Sequence, residues 1–448
     1  LINNGAFRHF MPWRTIEKPE SKTTPWRYVV DPSMSGLNVC LAKGQNKMKK
    51  IPDILTRART RKYIWTSDIS KLYNRLMLKP TSYRYQLFLY GDELDPDKEP
   101  EIYAMIVAWY GVASSGNQSG FALEELARLL KADFPLAYII ITEDTYVDDL
   151  IGGGETEEEC DEQIRQVNHV LQAGGFTTKY TIKSGQTDTD DTLRVLGYKW
   201  TVAKDLISPG FTELNFNSKK RGAKAPNPFP IQKPGDVSLL LSSKDISRRM
   251  IVSKMAEFWD PCGFWEPYKL QLKLDSQVLN GKEWDTPVSP DLQDYWISRF
   301  QEFLEIPRLT MTRYIFPKDV KVESIRLLCI SDAAEFAGGC AIYAGVELPD
   351  GSFSCKLVAS KSRLMSNSVP RNELEGVRIS AGLALDVKSS IGNRVKEVIF
   401  VTDSSIALSW CHNTKKRLRL YCLNRVMEIR RLIEAVVGQT VNIPLYHV

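Results

Sequence analysis

The spacing of apolar and polar positions changes along the chain and divides it into several stretches. Residues 1–205 mix short apolar runs with helix-like periods, and residues 243–316 are helix-like and rich in tryptophan. Between them, residues 215–235 hold four prolines and five lysines or arginines, a composition typical of a linker or surface loop. Beyond these stretches, apolar runs at 325–330, 339–343 and 395–401 alternate with a helix-like segment at 371–390.

These patterns predict a multidomain protein that combines α/β and α+β parts. We assign residues 1–205 to a first unit and residues 206–242 to a linker rich in proline and lysine. Residues 243–322 form a predicted helical region, and residues 323–448 form a predicted α/β domain.

Composition narrows the class of protein only slightly. The 448 residues are 43% hydrophobic, enough for about two or three separate cores, and carry a formal net charge of +5. Basic residues concentrate in residues 1–50 and 415–431, which suits a polyanion contacting separate domains or, equally, two solvated faces. The eight scattered cysteines are expected to be buried thiols in a reducing compartment. A reducing compartment implies an intracellular, non-secreted protein. No apolar stretch is long enough to span a bilayer, so we expect no membrane partner.

The sharpest local signal is the segment Thr145-Tyr-Val-Asp-Asp-Leu-Ile151. Its β-forming residues predict a tight hairpin with Asp148 and Asp149 at the turn. Two adjacent carboxylates repel each other unless a cation neutralises them, and hard divalent ions prefer oxygen ligands. Asp68, at the end of another apolar run, would add a third carboxylate and complete a two-metal site for phosphoryl transfer. By itself, an Asp-Asp pair is more often just a solvated turn.

These segments resemble reverse transcriptases, and the resemblance covers nearly the whole chain. Asp68 matches the motif A aspartate and residues 146–149 match the YxDD of motif C, which implies that Asp68, Asp148 and Asp149 are catalytic ligands of two Mg²⁺ or Mn²⁺ ions. Tyr73 falls where the family has an aromatic gate against the ribose 2′-hydroxyl. Arg27 falls where the family binds the incoming triphosphate, with Lys18 or Lys22 assisting.

Three further segments resemble motifs of the same family. Residues 109–118 resemble motif B, although Ser115-Gly116 stands where the family usually has Ser-Pro. Residues 174–179 resemble motif D, whose lysine protonates the pyrophosphate leaving group; Lys179 and Lys183 both fit that role, and Lys179 is the preferred nucleotide-binding candidate. Residues 196–200 resemble the primer grip. The resemblance implies a right-hand polymerase, with fingers and palm in residues 1–205 and a thumb- or connection-like region in 243–322.

A second set of carboxylates lies in the predicted α/β domain. Asp332 follows the apolar run at 325–330, Glu373 opens the helix-like segment, and Asp403 ends the run at 395–401. Each acid taken singly is more often a helix cap or a solvated residue than a metal ligand. Their order resembles the ribonuclease H fold, which implies that Asp332, Glu373 and Asp403 are catalytic and hold a second pair of Mg²⁺ or Mn²⁺ ions. Glu375 would face elsewhere on the helix and is the weaker candidate.

Residues 258–264, 284–285 and 306–308 add a resemblance to the Bel/Pao group of LTR retrotransposons. The ribonuclease H family supplies a fourth carboxylate downstream of a segment like residues 445–448, so we expect the domain at 323–448 to be truncated at its C-terminus within a longer polyprotein.

The resemblance implies an RNA-directed DNA polymerase with a linked ribonuclease H, in the cytoplasm or a virus-like particle. Its partners would be an RNA template, a DNA primer, an RNA–DNA hybrid and dNTPs. The alternative is a decayed or domesticated element fragment that binds nucleic acid or protein without catalysis. The six intact carboxylates favour the enzyme, whereas Ser115-Gly116 and the truncation favour the alternative.

Overall fold

The computed structural model describes residues 8–17, 25–91, 97–187, 192–210, 214–217, 227–242, 244–306, 309–366, 368–415, 417–438 and 443–448. Lys18 and Lys22 therefore lie outside the described residues. The chain divides into two compact units, and neither is one continuous segment. Unit 1 comprises Leu1–Lys50 and Tyr63–Ile182, and unit 2 comprises Ile51–Lys62 and Lys183–Val448.

Helices and strands alternate along most of the described chain, as the hydrophobic pattern predicted. The helices are α1 (Leu37–Cys40), α2 (Ile51–Thr60), α3 (Ser115–Leu129), α4 (Pro135–Glu143), α5 (Glu157–Ala173), α6 (Pro234–Leu241), α7 (Arg248–Glu257), α8 (Glu266–Asp275), α9 (Pro290–Glu302), α10 (Val369–Ile391), α11 (Ser405–His412) and α12 (Leu420–Val437). The strands are β1 (Trp13–Glu17), β2 (Trp26–Val30), β3 (Tyr63–Ile69), β4 (Leu87–Tyr90), β5 (Glu101–Ala104), β6 (Thr145–Tyr146), β7 (Asp149–Gly154), β8 (Thr178–Lys183), β9 (Thr192–Val195), β10 (Tyr198–Thr201), β11 (Leu206–Pro209), β12 (Met311–Thr312), β13 (Ile325–Ala333), β14 (Ala337–Glu347), β15 (Phe353–Leu364), β16 (Val395–Thr402) and β17 (Leu445–His447).

A four-stranded sheet of order β6-β7-β3-β8 is the centre of unit 1. Helices α3, α4 and α5 pack with this sheet around a shared apolar core. At its middle the buried ring of Trp65 covers Gly152 so closely that a Cβ added at Gly152 would lie 2.1 Å from the indole. The indole Nε1 donates to Gln163 Oε1 at 3.0 Å, and Gln163 also bonds to the backbone of Gly153. These contacts fix the strand that begins with Asp149.

Two antiparallel hairpins, β1-β2 and β4-β5, complete the described strands of unit 1. Trp13 links them, because its ring contacts Tyr28 of one hairpin and Phe88 and Tyr90 of the other. Its indole Nε1 also donates to the carbonyl of Leu89 at 2.6 Å. The side chains of Trp13, Tyr28 and Phe88 therefore form one aromatic wall.

Unit 2 contains a five-stranded sheet of order β15-β14-β13-β16-β17. Strands β13 and β16 run parallel, with Ser331 opposite Thr402, while β14 and β15 extend the sheet in antiparallel fashion. Helix α10 lies against this sheet and also packs with α12. The apolar positions of β13, β16 and α10 share one core, which confirms the α/β unit predicted from the pattern after residue 325.

Helix α2 belongs to unit 2, although unit 1 supplies the chain on both sides of it. It packs against α10. The buried Arg59 donates to the carbonyl of Leu357 at 2.8 Å and lies 4.3 Å over the ring of Phe264. Burial lowers the pKa of Arg59 to about 10. Arg394 donates to the carbonyl of Thr60 at 3.1 Å and holds the end of the helix.

The Phe-Trp-Asp-Pro-Cys-Gly-Phe segment at residues 258–264 is organised by Asp260. This buried carboxylate accepts the phenol of Tyr198 at 2.7 Å and the backbone N–H groups of Gly263, Phe264 and Trp265 at 3.1, 3.0 and 2.9 Å. A buried carboxylate needs several donors, and here they come from β10 and from the residues that lead into α8. The segment therefore joins a strand to a helix.

The described parts of the proline-rich stretch are more packed than its composition indicated. Phe216 is buried and contacts Phe300 of α9, and Leu214 is buried as well. Strand β11 and helix α6 occupy the two ends of residues 206–242. Six of the eight cysteines are buried as predicted, whereas Cys40 and Cys355 are exposed. Among the described helices, none combines the length and the apolar character needed to cross a membrane.

Candidate functional site

The predicted hairpin is present and carries two aspartates. Strands β6 and β7 pair from Tyr146 to Asp149, which leaves Val147 and Asp148 as the two residues of the turn. Val147 has a φ of 59°, a left-handed conformation that strains a β-branched residue. The backbone carbonyl of Asp148 accepts from Ile69 N at 2.8 Å, so the turn is tied to the end of β3.

Asp68 lies opposite this turn on the neighbouring strand. In the register of β3 and β7, Asp68 pairs with Asp149, so both side chains are on one face of the sheet. Lys179 of β8 places its Nζ 2.6 Å from Asp68 Oδ1. The predicted third carboxylate is therefore on an adjacent strand, and one ammonium group contacts it.

The carboxylates are crowded enough to disturb their protonation. Burial, followed by the charges of Asp148 and Asp68, raises the pKa of Asp149 to about 6. Burial and Asp68 likewise raise the pKa of Asp148. The nearby Tyr180 has a raised pKa because of burial and the charges of all three aspartates. The ammonium of Lys179 thus offsets only part of the repulsion among these carboxylates.

Unit 1 contains a cavity of about 1040 Å³ beside these carboxylates. Arg27, Asp68, Asp148 and Lys179 line it together with the aromatic wall. Arg27, which the sequence analysis placed in a triphosphate-binding role, therefore reaches the same space as the acids. Tyr110 also lines the cavity, and its ring centroid is 4.8 Å from that of Tyr73.

The remaining motif segments adopt definite structures. Ser115 and Gly116 begin α3, and the Ser115 hydroxyl donates to the carbonyl of Trp109 at 2.7 Å. Of the two motif D lysines, Lys179 contacts Asp68, while Lys183 is the last residue of β8. Residues 196 and 197 form the turn between β9 and β10, with φ values of 47° and 97°.

The second set of acids lies in unit 2. Asp332 and Asp403 are exposed at the carboxyl ends of the adjacent parallel strands β13 and β16. Glu373, the fifth residue of α10, accepts a hydrogen bond from the hydroxyl of Ser404. A Cβ added at Gly376 would lie 3.5 Å from the carbonyl oxygen of Asp332, so α10 passes close to β13 one turn after Glu373. The fold therefore brings all three predicted acids to one edge of the sheet.

Glu375 has a different environment from Glu373. It is buried and forms ion pairs with Arg378, Arg425 and Arg363 at 2.6, 3.1 and 3.4 Å. These arginines satisfy its charge, so Glu375 joins α10 to α12 and β15. Its ranking as the weaker metal-ligand candidate agrees with this arrangement.

Within the described part of the chain, no three His, Cys, Asp or Glu side chains are arranged so that they could hold a metal ion as they stand. Three residues that contact or adjoin the predicted site residues were not predicted from the sequence, namely Tyr110, Tyr180 and Ser404. Tyr180 and Ser404 each directly follow a predicted site residue, and Tyr110 lies inside the motif B segment. Adjacency along the chain was the available signal for all three.

Comparison with known proteins supports part of the family resemblance. Residues 247–404 match the family model of the Pao retrotransposon-like RNaseH-like domain, a range that includes α7 to α9 as well as Asp332, Glu373 and Asp403. No curated protein matches the sequence at a significant level.

Solved structures with a similar fold include the foamy viral protease-reverse transcriptase. Its dRH form in complex with double-stranded DNA has a TM-score of 0.59 and 16% identity, covering 98% of this chain and 65% of that one. Its complex with an RNA/DNA hybrid has a TM-score of 0.57 and 16% identity, covering 98% and 50%. Its complex with dsDNA has a TM-score of 0.53 and 17% identity, covering 98% and 77%. The protein therefore has a mixed α/β fold that resembles a retroviral reverse transcriptase and includes a match, at residues 247–404, to the Pao retrotransposon-like RNaseH-like domain.

Proposed function

We propose that the protein is an RNA-directed DNA polymerase of a Bel/Pao-like retrotransposon with a linked ribonuclease H. The observation that carries this proposal is the hairpin of Asp148 and Asp149 opposite Asp68, with Asp68 and Asp148 lining one cavity together with Arg27 and Lys179. Nucleotidyl transfer requires carboxylates that hold metal ions and a cation that binds phosphate, and a guanidinium suits the second role. In this proposal residues 1–205 are fingers and palm, residues 206–242 a linker, residues 243–322 a thumb-like region and residues 323–448 the ribonuclease H domain.

By its chemistry, the all-carboxylate donor set of unit 1 suits hard divalent metal ions. Burial and mutual repulsion raise the pKa of both Asp148 and Asp149, and a cation would relieve that repulsion. Two Mg²⁺ or Mn²⁺ ions held by Asp68, Asp148 and Asp149 would supply activation of the primer 3′-hydroxyl and stabilisation of the leaving pyrophosphate. Asp332, Glu373 and Asp403 offer a similar all-oxygen set in unit 2.

Other side chains in the cavity, together with Tyr73 beside it, would orient the nucleotide. Arg27 would bind the triphosphate through two parallel N–H donors. Tyr73 would lie beneath the sugar and exclude a 2′-hydroxyl by contact. Lys179, whose ammonium is 2.6 Å from Asp68, would donate a proton to the pyrophosphate oxygen as it leaves.

Nucleic acid is the proposed partner of both units. The foamy viral structures contain dsDNA or an RNA/DNA hybrid, which supports an RNA template, a DNA primer and their hybrid as partners here. In unit 2 the three acids would hold the metal ions that support hydrolysis of the RNA strand by water.

Primer extension tests this proposal directly. The purified protein should incorporate dTTP on a poly-rA template with an oligo-dT primer in Mg²⁺. Asp148→Asn should lower the rate by about 10³-fold, because the metal loses a charged ligand. Asp133→Asn, which makes the same change at an exposed residue of unit 1, is the matched control and should be as active as the parent.

The alternative, a nucleic-acid-binding fragment without catalysis, predicts a different outcome. Such a protein would bind the primer–template and incorporate nothing above the Asp148→Asn level. Equal activity of Asp148→Asn and the parent would remove the catalytic assignment of the hairpin.

A further inference from the structure

Two tyrosine rings meet at the edge of the polymerase-like cavity. Tyr73 lies in a 3₁₀ turn after β3, and Tyr110 lies in the segment between β5 and α3. Their ring centroids are 4.8 Å apart and their planes are inclined at 80°, an edge-to-face contact. Aromatic pairs in this arrangement attract each other and limit each other's rotation.

The backbone at Tyr73 is fixed by its neighbours, and its hydroxyl lies opposite Gly116. Ile69 and Leu72 are buried in the core of unit 1, and Lys71 between them has a φ of 52°. At the other end of the ring, the hydroxyl faces Gly116, where an added Cβ would still be 3.9 Å away. Because glycine has no side chain, that end gains no support from residue 116.

Tyr110, in contrast, is presented by a rigid stretch of chain. The preceding Trp109 is buried, and its Nε1 donates to the carbonyl of Tyr28 at 3.1 Å. The following Gly111 has a φ of 98°, and a Cβ there would lie 2.9 Å from the carbonyl of Val30. Tyr110 thus stands between two anchored residues, with its ring against Tyr73.

Both rings are neutral, so they act by shape. Burial and the charge of Asp148 raise the pKa of Tyr73 and of Tyr110. Neither phenol ionises near neutral pH in this environment, and the contact between the rings is one of packing.

From this geometry we infer that Tyr110 is a positioning residue for sugar selection, which holds the ring of Tyr73 in the orientation that rejects a ribose 2′-hydroxyl. The inference deepens the proposed polymerase function and rests on it. A ribonucleotide differs from a deoxyribonucleotide by one oxygen atom. An aromatic ring that is free to rotate discriminates poorly against so small a difference. The selective element is therefore the pair of rings.

The test is a double-mutant cycle on the ratio of kcat/KM for rNTP and dNTP. Tyr73→Ala should raise rNTP use relative to dNTP use, because the barrier is removed. Tyr110→Leu should raise the same ratio by about threefold to tenfold, the usual worth of an aromatic pair. Tyr110→Phe, which keeps the ring contact, should stay within about twofold of the parent. The double variant should be no more permissive than Tyr73→Ala, because the two residues act as one unit.

Phe121→Leu serves as the control, because Phe121 is an exposed aromatic residue of α3 that does not line the cavity. It should leave the ratio unchanged. Thermal melting will show whether Tyr110→Leu is folded, and Tyr110→Met replaces it if it is not.

Separate outcomes overturn the inference and the proposed function. If the parent incorporates dNTPs but the effects of Tyr73→Ala and Tyr110→Leu multiply in the double variant, Tyr110 does not act through Tyr73. An unchanged ratio in Tyr110→Leu, or equal ratios in Tyr110→Leu and Tyr110→Phe, also overturns the inference. A parent protein that incorporates no nucleotide overturns the polymerase function, and the two-ring gate falls with it.

Discussion

The two sets of acids contain the same number of carboxylates but are built on different principles. In unit 1 two acids lie in a partly buried hairpin and the third lies on the neighbouring strand. Val147 in the hairpin turn is strained at φ 59°, and the pKa of Asp149 is raised to about 6. In unit 2 Asp332 and Asp403 are exposed at strand ends, and Glu373 is held by the neutral hydroxyl of Ser404.

This difference shows where each unit bears the electrostatic cost of gathering carboxylates at one place. Unit 1 holds its acids together before any cation binds, so the folded state carries the repulsion. Unit 2 leaves two acids in water, where solvent screens their charges. If the comparison is correct, equivalent substitutions should have different effects on stability in the two units.

The largest expected effect separates the proposed ribonuclease H activity of unit 2 from the proposed polymerase activity of unit 1. Glu373→Gln should lower cleavage of the RNA strand of an RNA–DNA hybrid by about 10³-fold, because a charged ligand is lost. The amide still accepts the hydrogen bond from Ser404, so the fold should be unchanged. Primer extension should continue at the parental rate, and labelled hybrid and labelled primer measure both activities in one preparation.

Glu335→Gln is the control for this pair of measurements, because Glu335 is exposed in the neighbouring loop. Cleavage by Glu373→Gln at the parental rate would show that this glutamate is no ligand. A matching loss of primer extension would show that the two sets of acids are not independent.

A smaller effect is expected at Lys179, the lysine of unit 1 that contacts Asp68. Lys179→Met should lower the rate of nucleotide incorporation by about 10²-fold, the usual contribution of a general acid. Lys183→Met should have little effect, since Lys179 is the lysine that contacts Asp68. Single-turnover incorporation measures this step, and a larger loss in Lys183→Met would reverse the assignment.

The smallest expected effect concerns stability. The pKa of Asp149 is raised from 3.8 to about 6, so the folded protein binds this proton more tightly than the unfolded chain does. The contribution of Asp149 to stability is therefore fully present below about pH 4 and is lost as the pH rises through about 6. In chelator at pH 7.5, Asp149→Asn should stabilise unit 1 by about 1 kcal/mol after allowance for solvent screening, or about 2–4 °C in Tm.

Asp332→Asn is the matched substitution in unit 2 and should leave Tm unchanged, because that carboxylate is exposed. At pH 4 the gain in Asp149→Asn should disappear. Equal shifts of Tm in the two variants would contradict the contrast between crowded and solvated acids.

Local pattern was enough to predict the elements that hold the acids. The β-forming residues around Asp148 and Asp149 predicted the hairpin, and the apolar runs before Asp332 and Asp403 predicted strands β13 and β16. These features depend on neighbours in sequence, where hydrophobic period and turn chemistry act directly.

Contacts between residues that are far apart in the sequence could not be predicted from local pattern. Residues 258–264 lie in a stretch whose pattern indicated only helices, yet Asp260 bonds to Tyr198, 62 residues away. Nothing near Tyr110 in sequence signals that its ring would meet Tyr73. Such partners are selected by tertiary packing, which no local pattern contains.

The place of α2 has a consequence for how the chain folds during synthesis. Ile54, Leu55 and Ala58 of this helix are buried in the full protein, and Arg59 bonds to Leu357, 298 residues later in the chain. Contacts of such high sequence separation form late, so the apolar face of α2 must wait for most of the polypeptide to leave the ribosome. A fragment that ends at residue 182 would carry this helix without its partners. Expression of the polymerase-like part alone should therefore yield an aggregation-prone protein unless α2 is redesigned with a polar surface.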